Sequence, residues 1–306
     1  MHRTGSIKNP ITHSDDVCVM KYLIAACFML LLLFLISPVS ADTLWSTVEK
    51  KPENGDDVYA AAQEREKNTA DIAFQSGSDL LSSGKYQEAL KAFNEALAGY
   101  IQASILGTPR SDSLIGKGDA YLGLARYPEA LSAFSQALVI SPQDPDATFG
   151  QGMAYLGLNR YDDALHAFNQ VIEKDQKQIR AWLMKGKSLL LLKNYTGALD
   201  AYTRAARLDA DNDQAWGGKG DALRLLERHS EALEAYQKAL EINPENGDVL
   251  TSSGRSLWIL GMYQESLDAY NRALALNPGD EAAIEGKETV TGLISRVQKA
   301  IDKQNG

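Results

Sequence analysis

Residues 179–212 read IRAWLMKGKSLLLLKNYTGALDAYTRAARLDADN, and the same 34-residue phrase recurs on both sides of them. With Ile179 as position 1, position 8 is Gly186. Glycines stand in the same register at Gly118, Gly152, Gly220 and Gly254, with Gly77 ahead of them. Position 11 is Leu80, Tyr121, Tyr155, Leu189, Leu223 and Leu257, and position 17 is Tyr86, Tyr127, Tyr161, Tyr195, His229 and Tyr263. Position 20 is alanine five times and then Ser266. Position 24 is Phe93, Phe134, Phe168, Tyr202, Tyr236 and Tyr270, and position 27 is alanine except for Val171. Glycine makes up only 24 of 306 residues, so five at one interval with five matching columns are not accidental.

The residue types say what the phrase builds. Apolar positions recur at three- and four-residue spacing in two runs per phrase, which is a pair of amphipathic helices. Small residues at positions 8, 20 and 27 let the two helices approach closely, and aromatics at 11, 17 and 24 fill the space around the crossing. Pro142, Pro244 and Pro278 end the second helix where they occur, because proline cannot continue the helical ladder. No pair buries its apolar face alone, so the copies stack and the expected fold is an all-α solenoid.

The spelling resembles the tetratricopeptide repeat (TPR), whose signature W-x2-L-G-x2-Y…A-x3-F…P runs through these columns. The resemblance covers 70–280 as six repeats, 70–103, 111–144, 145–178, 179–212, 213–246 and 247–280, and implies a right-handed α-solenoid of stacked helix hairpins. Trp182 and Trp216 supply the tryptophan of position 4, while Lys117, Lys185 and Lys219 replace the usual leucine at position 7. Seven extra residues, Ser104–Arg110, separate the first two repeats. They amount to about two helical turns, so the second helix of repeat 1 is expected to lengthen before Gly107 and Pro109 stop it. Residues 281–306 are expected to form a C-terminal capping helix and tail, with Ile284, Leu293, Ile294, Val297 and Ile301 apolar. Residues 42–69 read as a linker followed by a lead-in helix from Val58 to Ala70.

The amino-terminal segment 1–41 is a signal peptide or a membrane anchor. Tyr22–Ile36 reads YLIAACFMLLLLFLI without charge, Lys21 precedes it, and Val39 and Ala41 stand at the small positions before a cleavage between Ala41 and Asp42. Tyr22–Val39 is also just long enough to span a bilayer uncleaved. Met20-Lys21 reads as a second natural start. Either way the repeats are expected outside the cytoplasm, with any membrane contact made by this segment alone. Cys27 matches a lipoprotein box in spelling, but most of the apolar run follows it where it should precede. Both cysteines, Cys18 and Cys27, lie in this segment, so the remainder has neither disulfides nor thiolate metal ligands.

Candidate chemistry has plainer explanations. The net charge of −9 argues against a nucleic-acid partner, which needs a basic face. Gly186-Lys187-Ser188 mimics a phosphate loop but falls inside a first helix. Asp209, Asp211 and Asp213 alternate like a calcium loop, yet Gln214 and Gly220 stand where glycine and glutamate are required. His166 and His229 have no partner in register, so no catalytic or metal site and no cofactor is expected. Asn194-Tyr195-Thr196 is a glycosylation sequon in an interhelix turn, with Asn194 its acceptor.

In this family the first helix of each repeat lines a concave groove through positions 2, 5, 9, 12 and 13. The resemblance thus implies a partner-binding row of Phe74, Leu81, Asp119, Leu122, Phe149, Met153, Leu156, Lys187, Leu190, Asp221, Arg224, Arg255 and Trp258. Arg180, Leu183, Leu191, Leu225 and Ile259 fall on the same positions. The lysines and asparagines that clamp a chaperone's acidic terminus are not in place. The expected function is a non-catalytic scaffold for an unidentified protein or peptide. The alternative is a self-associating structural component of the cell envelope.

Overall fold

A computed structural model describes residues 56–103 and 110–305. The apolar run Tyr22–Ile36, the junction between Ala41 and Asp42, the linker up to residue 55 and the extension expected over 104–109 lie outside these residues. No described helix is long and apolar enough to cross a membrane.

The described residues form thirteen helices and no strand. They are α1 (Asp56–Ser82), α2 (Tyr86–Ala103), α3 (Ser111–Gly123), α4 (Tyr127–Ile140), α5 (Pro145–Gly157), α6 (Tyr161–Lys174), α7 (Ile179–Leu191), α8 (Tyr195–Leu208), α9 (Asp213–Leu225), α10 (His229–Ile242), α11 (Gly247–Ile259), α12 (Tyr263–Leu276) and α13 (Glu281–Asn305). Six hairpins and a terminal helix follow the six expected repeats.

The lead-in runs on without interruption. The lead-in helix and the first helix of repeat 1 are a single 27-residue helix, α1, with no break at Ala70. The residues around that point, Glu66-Lys67-Asn68-Thr69-Ala70-Asp71, include neither proline nor glycine, and Thr69 Oγ1 donates to the Arg65 carbonyl within the same helix. Nothing there interrupts the ladder.

The aromatic of position 24 is the keystone of each repeat. Phe93, Phe134, Phe168, Tyr236 and Tyr270 are all but sealed from solvent, and Tyr202 is buried. Each ring lies against the position-8 glycine of its own first helix. On its other side it meets, in four cases, a position-6 glycine of the next first helix. Phe93 faces Gly116, Phe134 faces Gly150, Tyr202 faces Gly218, and Tyr270 faces Gly286 of α13. A side chain at any of these glycines would collide with the ring. The ring thus bridges two repeats, and α13 closes the array by offering the same glycine to Tyr270. Alanines at position 20 are sealed beneath, and Ser266 in that column donates its hydroxyl to the Gly254 carbonyl at 2.7 Å.

Turns repeat as faithfully as helices. Within each hairpin, position 15 is left-handed: Gly84, Ala125, Asn159, Lys193, Glu227 and Gly261, with φ from 55° to 78°. The N–H of position 15 bonds the carbonyl of position 12, and that of position 16 the carbonyl of position 11, as in Gly84 to Leu81 and Lys85 to Leu80. This is the Schellman closure of a helix end. Between repeats, Asp144, Asn212, Asn246 and Asp280 cap the following first helix by accepting its free N–H groups.

The stacking sets the curvature. From α3 onward, each first helix touches the next first helix, while the second helices touch none of their own kind among the described residues. The first helices therefore form the tighter, inner row, and the second helices splay on the outer side.

Candidate functional site

The inner row carries the residues expected to meet a partner, and the structure divides them. Phe74 packs edge-on against Phe93 at 5.8 Å, and Phe149 lies 5.4 Å from Phe168. Leu81, Leu122 and Leu190 are half-buried against core clusters, and Leu183 is buried. These residues hold repeats together as much as they face the groove. Met153 and Leu156 are half-buried, while Lys187, Arg255 and Trp258 are exposed.

Repeats 5 and 6 add a polar layer. Tyr236 Oη donates to Asp221 Oδ1 at 2.9 Å, and Arg224 reaches both, with Nε 3.3 Å from the phenol and a terminal nitrogen 3.4 Å from the carboxylate. Burial, reinforced by Asp221, pushes the Tyr236 phenol above its ordinary range, and Arg224 works against the rise. Burial likewise raises Tyr270, with Arg255 opposing it. Both phenols stay protonated, and Tyr236 acts as a donor. They reach the groove from the core because position 24 changes from phenylalanine in repeats 1–3 to tyrosine in repeats 4–6.

Repeat 2 lacks this answer. Asp119 stands where Asp221 stands in repeat 5, but Leu122 and Phe134 replace Arg224 and Tyr236. Burial pushes its carboxyl up to about 6, with Arg180 opposing and Asp146 reinforcing the shift. Arg180 itself lies over the Phe149 ring at 4.5 Å.

Position 13 divides the row in the same place. In repeats 2 and 3 it is Gly123 and Gly157, each tucked under the position-17 tyrosine of the preceding repeat, Tyr86 and Tyr127. In repeats 4–6 it is Leu191, Leu225 and Ile259, exposed at 44%, 36% and 50% beside Trp258 at 37%. Open apolar side chains thus recur at one register of the first helices in repeats 4–6 and not in repeats 2 and 3.

The remaining sequence features fall into structural roles. Lys185 and Lys219 lie 5.0 and 4.8 Å over the rings of Trp182 and Trp216, one helical turn before them. That contact accounts for lysine at position 7. The two indoles donate to the carbonyls of Gln176 and Ala210 in the preceding turn. Residues 181–188 are helical interior. Asp209 accepts from the Asp211 N–H, and Asp213 accepts from Asn243 and Asn246. No cluster of three metal-ligating side chains occurs among the described residues. His166 is exposed on an outer helix, and His229 Nδ1 lies 3.5 Å from Ser256 Oγ. Asn194 is exposed and caps α8 through its side-chain oxygen.

Sequence columns missed the Tyr236–Asp221–Arg224 network and the position-6 glycines. The signals were there, in the switch from phenylalanine to tyrosine and in Gly116, Gly150, Gly218 and Gly286 at whole multiples of the period.

A scaffold of stacked helix pairs with one helix of each lining a concave row is the architecture of the tetratricopeptide repeat. Family models of that repeat match residues 74–145, 149–213, 214–246 and 248–280, and the chain belongs to this family. No curated protein matches the sequence. Among solved structures, pilF of Pseudomonas aeruginosa superposes with a TM-score of 0.62 at 15% identity, over 73% of this chain and 99% of its own. YrrB, described as a TPR protein with an unusual peptide-binding site, superposes at 0.50 with 20% identity, over 65% and 99%. A thermophilic TPR protein of Thermus thermophilus gives 0.50 at 19% identity, over 59% and 98%. At these identities the likeness shows the fold.

Proposed function

We propose that this TPR scaffold is non-catalytic and holds a peptide or protein segment in the groove along its first helices, and that it acts outside the cytoplasm. The observation that carries the binding role is the open row of repeats 4–6, where Trp258, Leu225 and Ile259 stand exposed on α9 and α11, each N-capped by an asparagine side chain. A rigid surface with a large aromatic anchor binds at low entropic cost. The peptide-binding site of YrrB supports the same use of the fold. The location outside the cytoplasm rests on the sequence of residues 20–41, and amino-terminal sequencing of the mature protein tests it, with Asp42 first as the expected result.

Crosslinking on intact cells, followed by mass spectrometry, tests the groove. Trp258→Ala is expected to lose the crosslinked partner while keeping its helicity. A partner retained in full by the variant would sink the reading. Sedimentation addresses self-association: a monomer is expected, and growth with concentration would shift the role to the structural alternative. The terminal helices give that alternative its surface, since Ile72 of α1 is 72% exposed at a position that later repeats bury.

A further inference from the structure

We infer that repeats 4–6 select a segment that is both apolar and acidic, with large apolar side chains seated along Leu225, Trp258 and Ile259 and carboxylates met by Lys187 and Arg255. This rests on the groove reading above and adds the chemistry of the partner.

Three observations lead to it. First, the open apolar row is confined to repeats 4–6, because in repeats 2 and 3 glycines under tyrosine rings occupy the same position. Second, cations outnumber carboxylates beside that row: Arg180, Lys187, Arg224 and Arg255 stand at its groove positions against Asp221 and Asp248. Lys187 and Arg255 are exposed and make no ion pair among the described residues, whereas Arg224 between them is already matched by Asp221. Third, Asp119 and Asp146 stand at groove positions of repeats 2 and 3, in no ion pair among the described residues and offset only in part by Arg180, so that half disfavours the same segment. Charge complementarity of this kind sets register and partner choice more than raw affinity. Lys187 and Arg255 are two repeats apart, on the order of 20 Å at a helix spacing of about 10 Å. An extended segment covers that distance in about six residues.

The experiment pans a displayed random peptide library against the full-length chain and retains binders that weaken on Trp258→Ala. Those binders are expected to be enriched in Asp and Glu beside Leu, Phe or Trp. Their affinity is expected to fall about tenfold on Lys187→Glu/Arg255→Glu and to weaken as salt is raised. Lys187→Arg/Arg255→Lys should restore it. Both side chains are exposed, so circular dichroism of the reversed variant should match the parent; Lys187→Gln/Arg255→Gln serves in its place if it does not. Binders rich in Lys and Arg, or binders indifferent to both charge variants, would overturn the acidic-segment proposal and leave the groove reading standing. If no peptide weakens on Trp258→Ala, the groove reading falls and this proposal with it.

Discussion

Repeats 2 and 5 place the same aspartate at position 9 and surround it in opposite ways. In repeat 5, Asp221 accepts a hydrogen bond from Tyr236 and pairs with Arg224. In repeat 2, Asp119 has Phe134 and Leu122 at those positions, and burial pushes its carboxyl up to about 6. One fold therefore supports two kinds of inner surface. Repeats 1–3 keep phenylalanine rings in the core, while in repeat 5 the Tyr236 hydroxyl reaches out to bond Asp221 and Arg224.

Removing either ring is the severest test of that contrast. Phe134→Ala and Tyr236→Ala are each expected to cost about 3–5 kcal/mol in urea unfolding, because both rings fill the same space between two repeats. Similar losses would show that packing is common to the halves and that only the hydroxyl distinguishes them. A loss under about 1 kcal/mol at one ring would break the equivalence.

Asp119→Asn is expected to stabilise the chain at pH 7.5 by about 1–2 kcal/mol, discounted from ~1.4 kcal/mol per pH unit for partial exposure. The sign follows from a carboxyl that binds its proton more tightly folded than unfolded. Parent stability falls as pH rises from about 4 through 6, and the gap between variant and parent closes again on acidification. Thermal melts across that range measure it, and a gap independent of pH would refute the cause assigned.

Exchanging the hydroxyl sharpens the comparison at smaller scale. Tyr236→Phe is expected to cost about 1.5 kcal/mol, the low end for a hydrogen bond to a charged group. Phe134→Tyr should offer Asp119 the donor it lacks and lower its carboxyl titration, followed by NMR. The smallest effect lies in the turns. Lys193→Gly or Glu227→Gly should gain about 0.5–1 kcal/mol by relieving a left-handed residue, to match Gly84 and Gly261.

The repeat itself was plain in the sequence, because a close helix crossing demands a small residue at one register and the demand recurs in every copy. Six hairpins, the proline stops and the terminal helix all follow from those columns. The continuity of α1 through Ala70 was not plain, since a repeat count begins a new unit there although no residue breaks the helix. The position-6 glycines escaped because Met184 and Ser252 interrupt their period. At the groove, Trp258, Lys187 and Arg255 stand exposed on the positions the family pattern names. The contrast between Asp119 and Asp221 was hidden, because it depends on residues three and fifteen positions away. Most of the leucine and phenylalanine row serves packing, which a row of groove positions does not separate from contact.

From α3 onward the inner helices touch from repeat to repeat and the outer helices do not, among the described residues. In mechanical terms this makes the array a strip hinged along one edge. Bending about the inner row breaks no contact between outer helices, but it loads the seam where each outer helix packs on the next inner helix and where Phe93, Phe134, Tyr202 and Tyr270 meet their glycines. The groove can thus change its width only as far as that seam yields, and a bound segment that bridges Lys187 and Arg255 would act as a stay that fixes the curvature of the last three repeats.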